Sequence, residues 1–191
     1  MKIARIISPI HALGPGNRVG LWVQGCTRNC SHCISPELQS FNISNMPEEA
    51  IVAALLQASA LNGCKGLTIS GGEPFEQSEA LLKVLKGVRK NFSDILVYTG
   101  FKIEEVIGGQ CGECGRLALQ YIDVLIDGPY EDALNTSDCI LRGSSNQMIH
   151  FLNGDLTDTY SEYMSQGRLL ETFVHDSNLI IVGIIDSRGA K

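Results

Sequence analysis

Positive charge is what this chain is short of. Fifteen Lys and Arg stand against 21 Asp and Glu, a formal net charge of −6. A nucleic-acid footprint needs the opposite, a basic patch facing phosphate. Long apolar runs are also missing, since none approaches the roughly 20 residues that span a bilayer. In the opening "MKIARIISPIHALGPG" the apolar stretch is too short for the h-region of a secretory signal. The expectation is therefore no nucleic acid, no membrane and a cytoplasmic location. No internal repeat, low-complexity tract or linker divides the 191 residues, and 44% hydrophobic content suffices for one core.

An even cysteine count is lacking too. Seven cysteines cannot all pair, and cytosolic thiols stay reduced, so close clustering favours metal ligation over bridges. The cluster is "VQGCTRNCSHCISPE" (23–37), where Cys26, Cys30 and Cys33 give C-x3-C-x2-C. A fourth ligand is absent from it. Structural zinc closes with four protein ligands, and an ordinary iron–sulfur carrier uses four cysteines. Three on one loop either borrow a fourth from elsewhere or leave one metal corner open for chemistry.

What is present alternates. Strands are expected at 2–10, 19–24, 66–70, 94–99 and 122–127, and helices at about 47–61, 76–90 and 102–107. "CGECG" (111–115) reads as a Gly-rich break before a short helix at "RLALQY", and 142–152 as loop then strand. "LLETFVH" and "LIIVGII" flank "DSN" (176–178) as a β-hairpin. Near-continuous apolar strands alternating with helices indicate a parallel α/β sheet.

In such sheets the loops at the carboxyl ends of strands build the active site. The cysteine loop leaves the second strand, and "SGGEP" (70–74) leaves the third. Gly71 and Gly72 remove side chains where a ligand could approach, and Glu73 places a carboxylate there.

C-x3-C-x2-C followed by Gly-Gly-Glu-Pro resembles the signature of radical S-adenosylmethionine (SAM) enzymes. More closely, the chain is similar to the small activating proteins of anaerobic ribonucleotide reductases and related glycyl-radical-enzyme activases. The matching segments are "GPGNR", "VQGCTRNCSHC", "TISGGEP", "VYTGF", "VLIDGPY" and "RGSSNQMIH", in family order across residues 14–150. The resemblance implies an α/β partial (β/α) barrel of the radical SAM type, with about six parallel strands, open on one side. Residues 1–152 would be its core, and 153–191 a helix and β-hairpin extension of the same domain. A full (β/α)8 barrel typically takes about 250 residues, so 191 can close only part of one.

By the same resemblance, Cys26, Cys30 and Cys33 hold three irons of a [4Fe–4S] cluster, and SAM chelates the fourth. The protein would be a radical SAM oxidoreductase in which reductive cleavage of SAM yields a 5′-deoxyadenosyl radical. That radical would install a glycyl radical on a partner such as an anaerobic ribonucleoside-triphosphate reductase, with flavodoxin or ferredoxin as electron donor. The turn Gly71-Gly72-Glu73 would receive the methionine amino group. Thr99, Asp127, Arg142, Ser144, Ser145 and Asn146 are candidates for the rest of SAM, and His32 for a place near adenine or over the cluster. In some activases the equivalents of Tyr98-Thr99 and Asp127 help bind a monovalent cation, but with an aspartate in place of Tyr98.

Two other readings stay open: radical SAM chemistry on a different peptide or small molecule, and a non-catalytic zinc or electron-transfer module. Among the leftover cysteines, Cys64 and Cys139 read as buried. Cys111 and Cys114 read as an exposed, incidental pair, with an auxiliary metal or redox site as the alternative. His11, His150 and His175 read as ordinary histidines.

Overall fold

The computed structural model describes residues 1–175 and 178–185. Six strands form one sheet: β1 (Ile3–Ile10), β2 (Arg18–Val23), β3 (Gly66–Gly71), β4 (Asp94–Tyr98), β5 (Val124–Asp127) and β6 (Met148–Phe151), in that spatial order. Between them run α1 (Glu48–Asn62), α2 (Ser78–Val88), α3 (Ile103–Ile107) and α4 (Gly112–Ala118), and α5 (Thr157–Ser165) follows β6. A separate two-stranded sheet, β7 (Leu170–His175) with β8 (Asn178–Gly183), is the hairpin read from the sequence. Its turn at 176–177 lies outside the described residues. No closed barrel forms among them, in keeping with a partial one.

The expectation of about six parallel strands needs correcting. Only β2 through β5 run parallel, while β1 is antiparallel to β2 and β6 to β5. The reason is connection chemistry. A parallel return requires a crossover, usually a helix. Residues 11–17 are too few for one, and 128–147 carry a single 3-10 turn instead.

Strands buried on both faces need cover on both. On one face α1 and α2 contribute Ile51, Leu55, Leu81, Leu85 and Val88 to a core shared with Leu67, Ile69 and Val97. Pro47 sits just before the helix as its N-cap, one place earlier than expected. The other face is covered in two parts. Tyr160 of α5 packs with Leu96, Val124 and Ile126. Val182 of β8 packs with Ile7, Ile10, Leu13 and Trp22. The hairpin is thus part of the core's cover.

At the amino ends of the parallel strands the fully buried Arg18 ion-pairs with Asp94. It also donates from Nε to Thr68 Oγ1 (2.6 Å) and from Nη2 to the Leu67 carbonyl (2.9 Å). The Tyr160 hydroxyl donates to the same Asp94 carboxylate at 2.9 and 3.0 Å, fastening α5 to the sheet.

The segment read as a break instead carries α4, which starts at Gly112 with Cys111 as its N-cap. Cys111 is 8% exposed and belongs to the core, and Cys114 is partly buried, so the pair is not exposed as expected. Gly115 allows this, because a Cβ there would lie 2.6 Å from the Cβ of Cys111. Burial, with the charge of Glu73 adding to it, pushes the Cys111 thiol up to about 11. Cys64 and Cys139 are buried, as read.

Candidate functional site

Two loops at the carboxyl ends of β2 and β3 meet through their backbones. Gly72 N–H donates to the Val23 carbonyl (2.8 Å), and Glu73 N–H to the Gly25 carbonyl (2.8 Å). A Cβ on Gly71 would stand 2.4 Å from the Val23 oxygen, and one on Gly72 would stand 2.3 Å from the Gly25 oxygen. Glycine is therefore required here by the approach of the cysteine loop itself, an origin the sequence did not reveal.

The loop is fixed beyond that contact. Gly25 and Cys26 N–H groups donate to the Leu38 and Gln39 carbonyls at 2.7 and 2.9 Å. Gln24 Nε2 donates to the Glu37 and Ser40 carbonyls at 3.1 and 2.9 Å. Asn29 (φ 49°) and His32 (φ 57°), the residues before Cys30 and Cys33, adopt left-handed backbone, which Asn and His tolerate better than most. These kinks bring the loop round so that Cys26, Cys30 and Cys33 all line one cavity of about 470 Å³, together with Gly71, Gly72 and Thr99. Burial raises the Cys26 thiol, and the Glu73 and Glu76 carboxylates add to the effect.

Glu73 points inward. Its side chain is almost wholly buried and accepts from Phe75 N–H (3.0 Å), Thr99 Oγ1 (2.8 Å) and Gly100 N–H (2.7 Å). These three bonds make the carboxylate a brace between β3 and β4, and Glu73 still lines the cavity beside Gly71 and Gly72. Burial outweighs those bonds and pushes the Glu73 carboxyl up to about 7.

Arg28, not singled out from sequence, lies between the cysteines and also lines the cavity. Its guanidinium sits 4.0 Å over the Phe101 ring, with Nε 3.9 Å from Glu73. It clamps the cysteine loop to the loop after β4, a cation–π contact that its place inside the C-x3-C spacing could have suggested.

Other expected residues lie elsewhere. The His32 ring is 69% exposed and 3.8 Å from Asp132, outside the cavity wall, because the left-handed backbone turns it outward. Asp127 accepts from Ile103 N–H (2.6 Å) and Met148 N–H (3.3 Å) and stands 3.0 Å from His150. It faces a second cavity of about 360 Å³, which Asn146 also lines. Arg142 Nη1 donates to the Gln147 carbonyl (2.9 Å). Ser144 Oγ accepts from Glu131 N–H (3.1 Å), and Ser145 N–H donates to the Leu134 carbonyl (2.9 Å). Asn146 Nδ2 donates to the Pro129 carbonyl (2.8 Å). None of these four lines the first cavity. Gly143 and Gln147 reach it instead, because Gln147 Oε1 accepts from Gly143 and Ser144 N–H and closes the loop on itself.

Among the described residues no three His, Cys, Asp or Glu side chains are gathered to hold a single metal ion. That holds for Cys26, Cys30 and Cys33, and for Cys111 and Cys114. A four-iron cluster takes each thiolate at a different iron, so its ligands need not converge on one point as zinc's must. Three thiols round one cavity wall fit that donor set.

Residues 12–150 match the family model described as a 4Fe-4S single cluster domain. Against the anaerobic ribonucleoside-triphosphate reductase-activating protein of Haemophilus influenzae, the chain is 35% identical over 145 residues, 72% of this chain and 89% of the relative. Against the protein of that name from Escherichia coli K12 the figures are 31% over 147 residues, 73% and 91%. Against that of Enterobacteria phage T4 they are 31% over 153 residues, 78% and 93%. The chain belongs to this family of single-cluster activating proteins. No helix among the described residues is long and apolar enough to cross a membrane.

Proposed function

We propose that this protein is a radical SAM activase, which installs a glycyl radical on an anaerobic ribonucleoside-triphosphate reductase. The observation that carries the reading is one cavity walled by both Cys26/Cys30/Cys33 and the Gly71-Gly72 turn, at the carboxyl ends of parallel strands. Residues 1–152 are its core and 153–191 an extension of the same domain. The location is cytoplasmic, and flavodoxin or ferredoxin is the electron donor.

Cys26, Cys30 and Cys33 would hold a [4Fe–4S] cluster, which together with SAM would supply one-electron cleavage of the sulfonium and hydrogen-atom abstraction. The chain's own work is positional. The Gly71–Gly72 turn would accept from the methionine ammonium, and Glu73 holds that turn at a fixed distance from Thr99. Arg28 on Phe101 keeps the cysteine loop closed over the cavity.

The test is electron paramagnetic resonance on anaerobically reconstituted, dithionite-reduced protein. A reduced [4Fe–4S] signal that changes on adding SAM supports the chemistry, and a glycyl-radical doublet on added reductase supports the partner. A cluster signal indifferent to SAM overturns the reading.

A further inference from the structure

The hairpin lies beyond the matched residues 12–150. Within its sheet β8 pairs with β7 alone. A strand that turns a face to a cavity supplies every second residue, because side chains alternate. β8 and its continuation instead supply seven consecutive residues, Leu179–Ile185, to the wall that holds the three cysteines. What borders the cavity is therefore the strand's edge.

On such an edge alternate residues direct N–H and C=O away from the paired strand. Among the described residues, Leu179–Ile184 have no backbone partner outside the hairpin, and the Ile185 carbonyl accepts from Asn135 Nδ2 at 2.8 Å. Exposed edges are normally blunted by Lys, Pro or inward charges. "NLIIVG" carries none of these. One face of the hairpin is held by Val182 in the core, while Leu179 and Ile181 on the other are 68% and 52% exposed.

We propose that the β8 edge docks an extended polypeptide segment of the protein substrate, which adds as a third strand and runs along the cavity past the cysteines. The inference rests on the activase reading above. An extended polypeptide fits because it presents N–H and C=O groups at the repeat that β8 leaves open. A small molecule meets only a few of them. A glycine in that segment brings its α-carbon to the cavity with no side chain between. Its neighbours set apolar side chains against Leu179 and Ile181.

The test uses the full chain, reconstituted anaerobically, with and without an anaerobic ribonucleoside-triphosphate reductase from the same organism. Complex formation is read by size-exclusion chromatography and amide exchange by residue-resolved mass spectrometry. The expected result is exchange slowed about tenfold or more at the alternate amides of 179–184 that β7 leaves open. A complex in which those amides are unchanged overturns the proposal alone. Protection that grows with the chain's own concentration, without reductase, also overturns it, because a second copy then covers the edge. Absence of any complex overturns the partner reading and this inference with it, while the response of the cluster to SAM judges the chemistry separately.

Discussion

The hydroxyl of Thr99 donates to the carboxylate of Glu73 at 2.8 Å, linking the end of β4 to the turn that leaves β3. Between the β3 turn and the end of β4, beside the cavity, the linking group is thus an ionisable one, held almost wholly out of water.

Its titration should be visible in stability. The folded carboxyl holds its proton up to about 7, against 4.5 for the ordinary group. A carboxyl raised in this way contributes stability below the lower value, which is lost as pH rises through that window. The E73Q variant should therefore gain on the native chain by on the order of 3 kcal/mol between pH 4 and pH 8. Urea unfolding at both pH values checks it, and a pH-independent difference would contradict it.

Gly72 and Gly109 separate crowding from backbone strain. A Cβ on Gly72 collides with the Gly25 oxygen, whereas Gly109 has open space but a φ of 89°. G72A should displace the cysteine loop and lower the iron bound per chain at least twofold. G109A should cost about 1 kcal/mol and leave iron content unchanged. Iron assay after reconstitution, with thermal melts, tells the two apart.

The buried pair of Arg18 and Asp94 should respond to removal of one member. R18M leaves the Asp94 charge with the Tyr160 hydroxyl as its side-chain partner. The expected loss is about 3–5 kcal/mol. Y160F keeps the ion pair and should lose about 1–3 kcal/mol. Equal losses in denaturant titrations would mean that the charge is not the costly element.

Glu171 ties the hairpin to the first two strands. Its carboxylate accepts from the N–H groups of His11 (2.6 Å) and Ala12 (2.7 Å) and lies 2.8 Å from His11 Nδ1. E171A leaves those donors unmet, about 1–3 kcal/mol. Limited proteolysis should then cut within 166–183 several-fold faster than in the native chain, with cutting elsewhere unchanged.

Local information carried much of this. Apolar runs in β2 to β5 and the helical periodicity of 47–61 located the parallel strands and α1 because burial acts on each residue in place. The direction of β1 and β6 depends on how their connections return, which no single strand encodes. The cysteine spacing named a donor set, and all three thiols line one wall. The 142–147 loop misled because Gln147 folds it back on itself, a contact set by bonds to Gly143, Ser144 and Gly128 rather than by composition. The hairpin was legible as two strands, but its position against Trp22 and the cavity depends on long-range packing.

The cysteine loop is fastened at Gly25 and Cys26 by peptide groups to Leu38 and Gln39, and from the other side to Gly72 and Glu73. Its sulfur atoms carry none of that fastening. A zinc finger without its ion comes apart, since the metal there is the clasp. Here the clasp at the start of the loop is main chain, so on the activase reading that end of the socket would hold its shape whether or not the iron were seated in it.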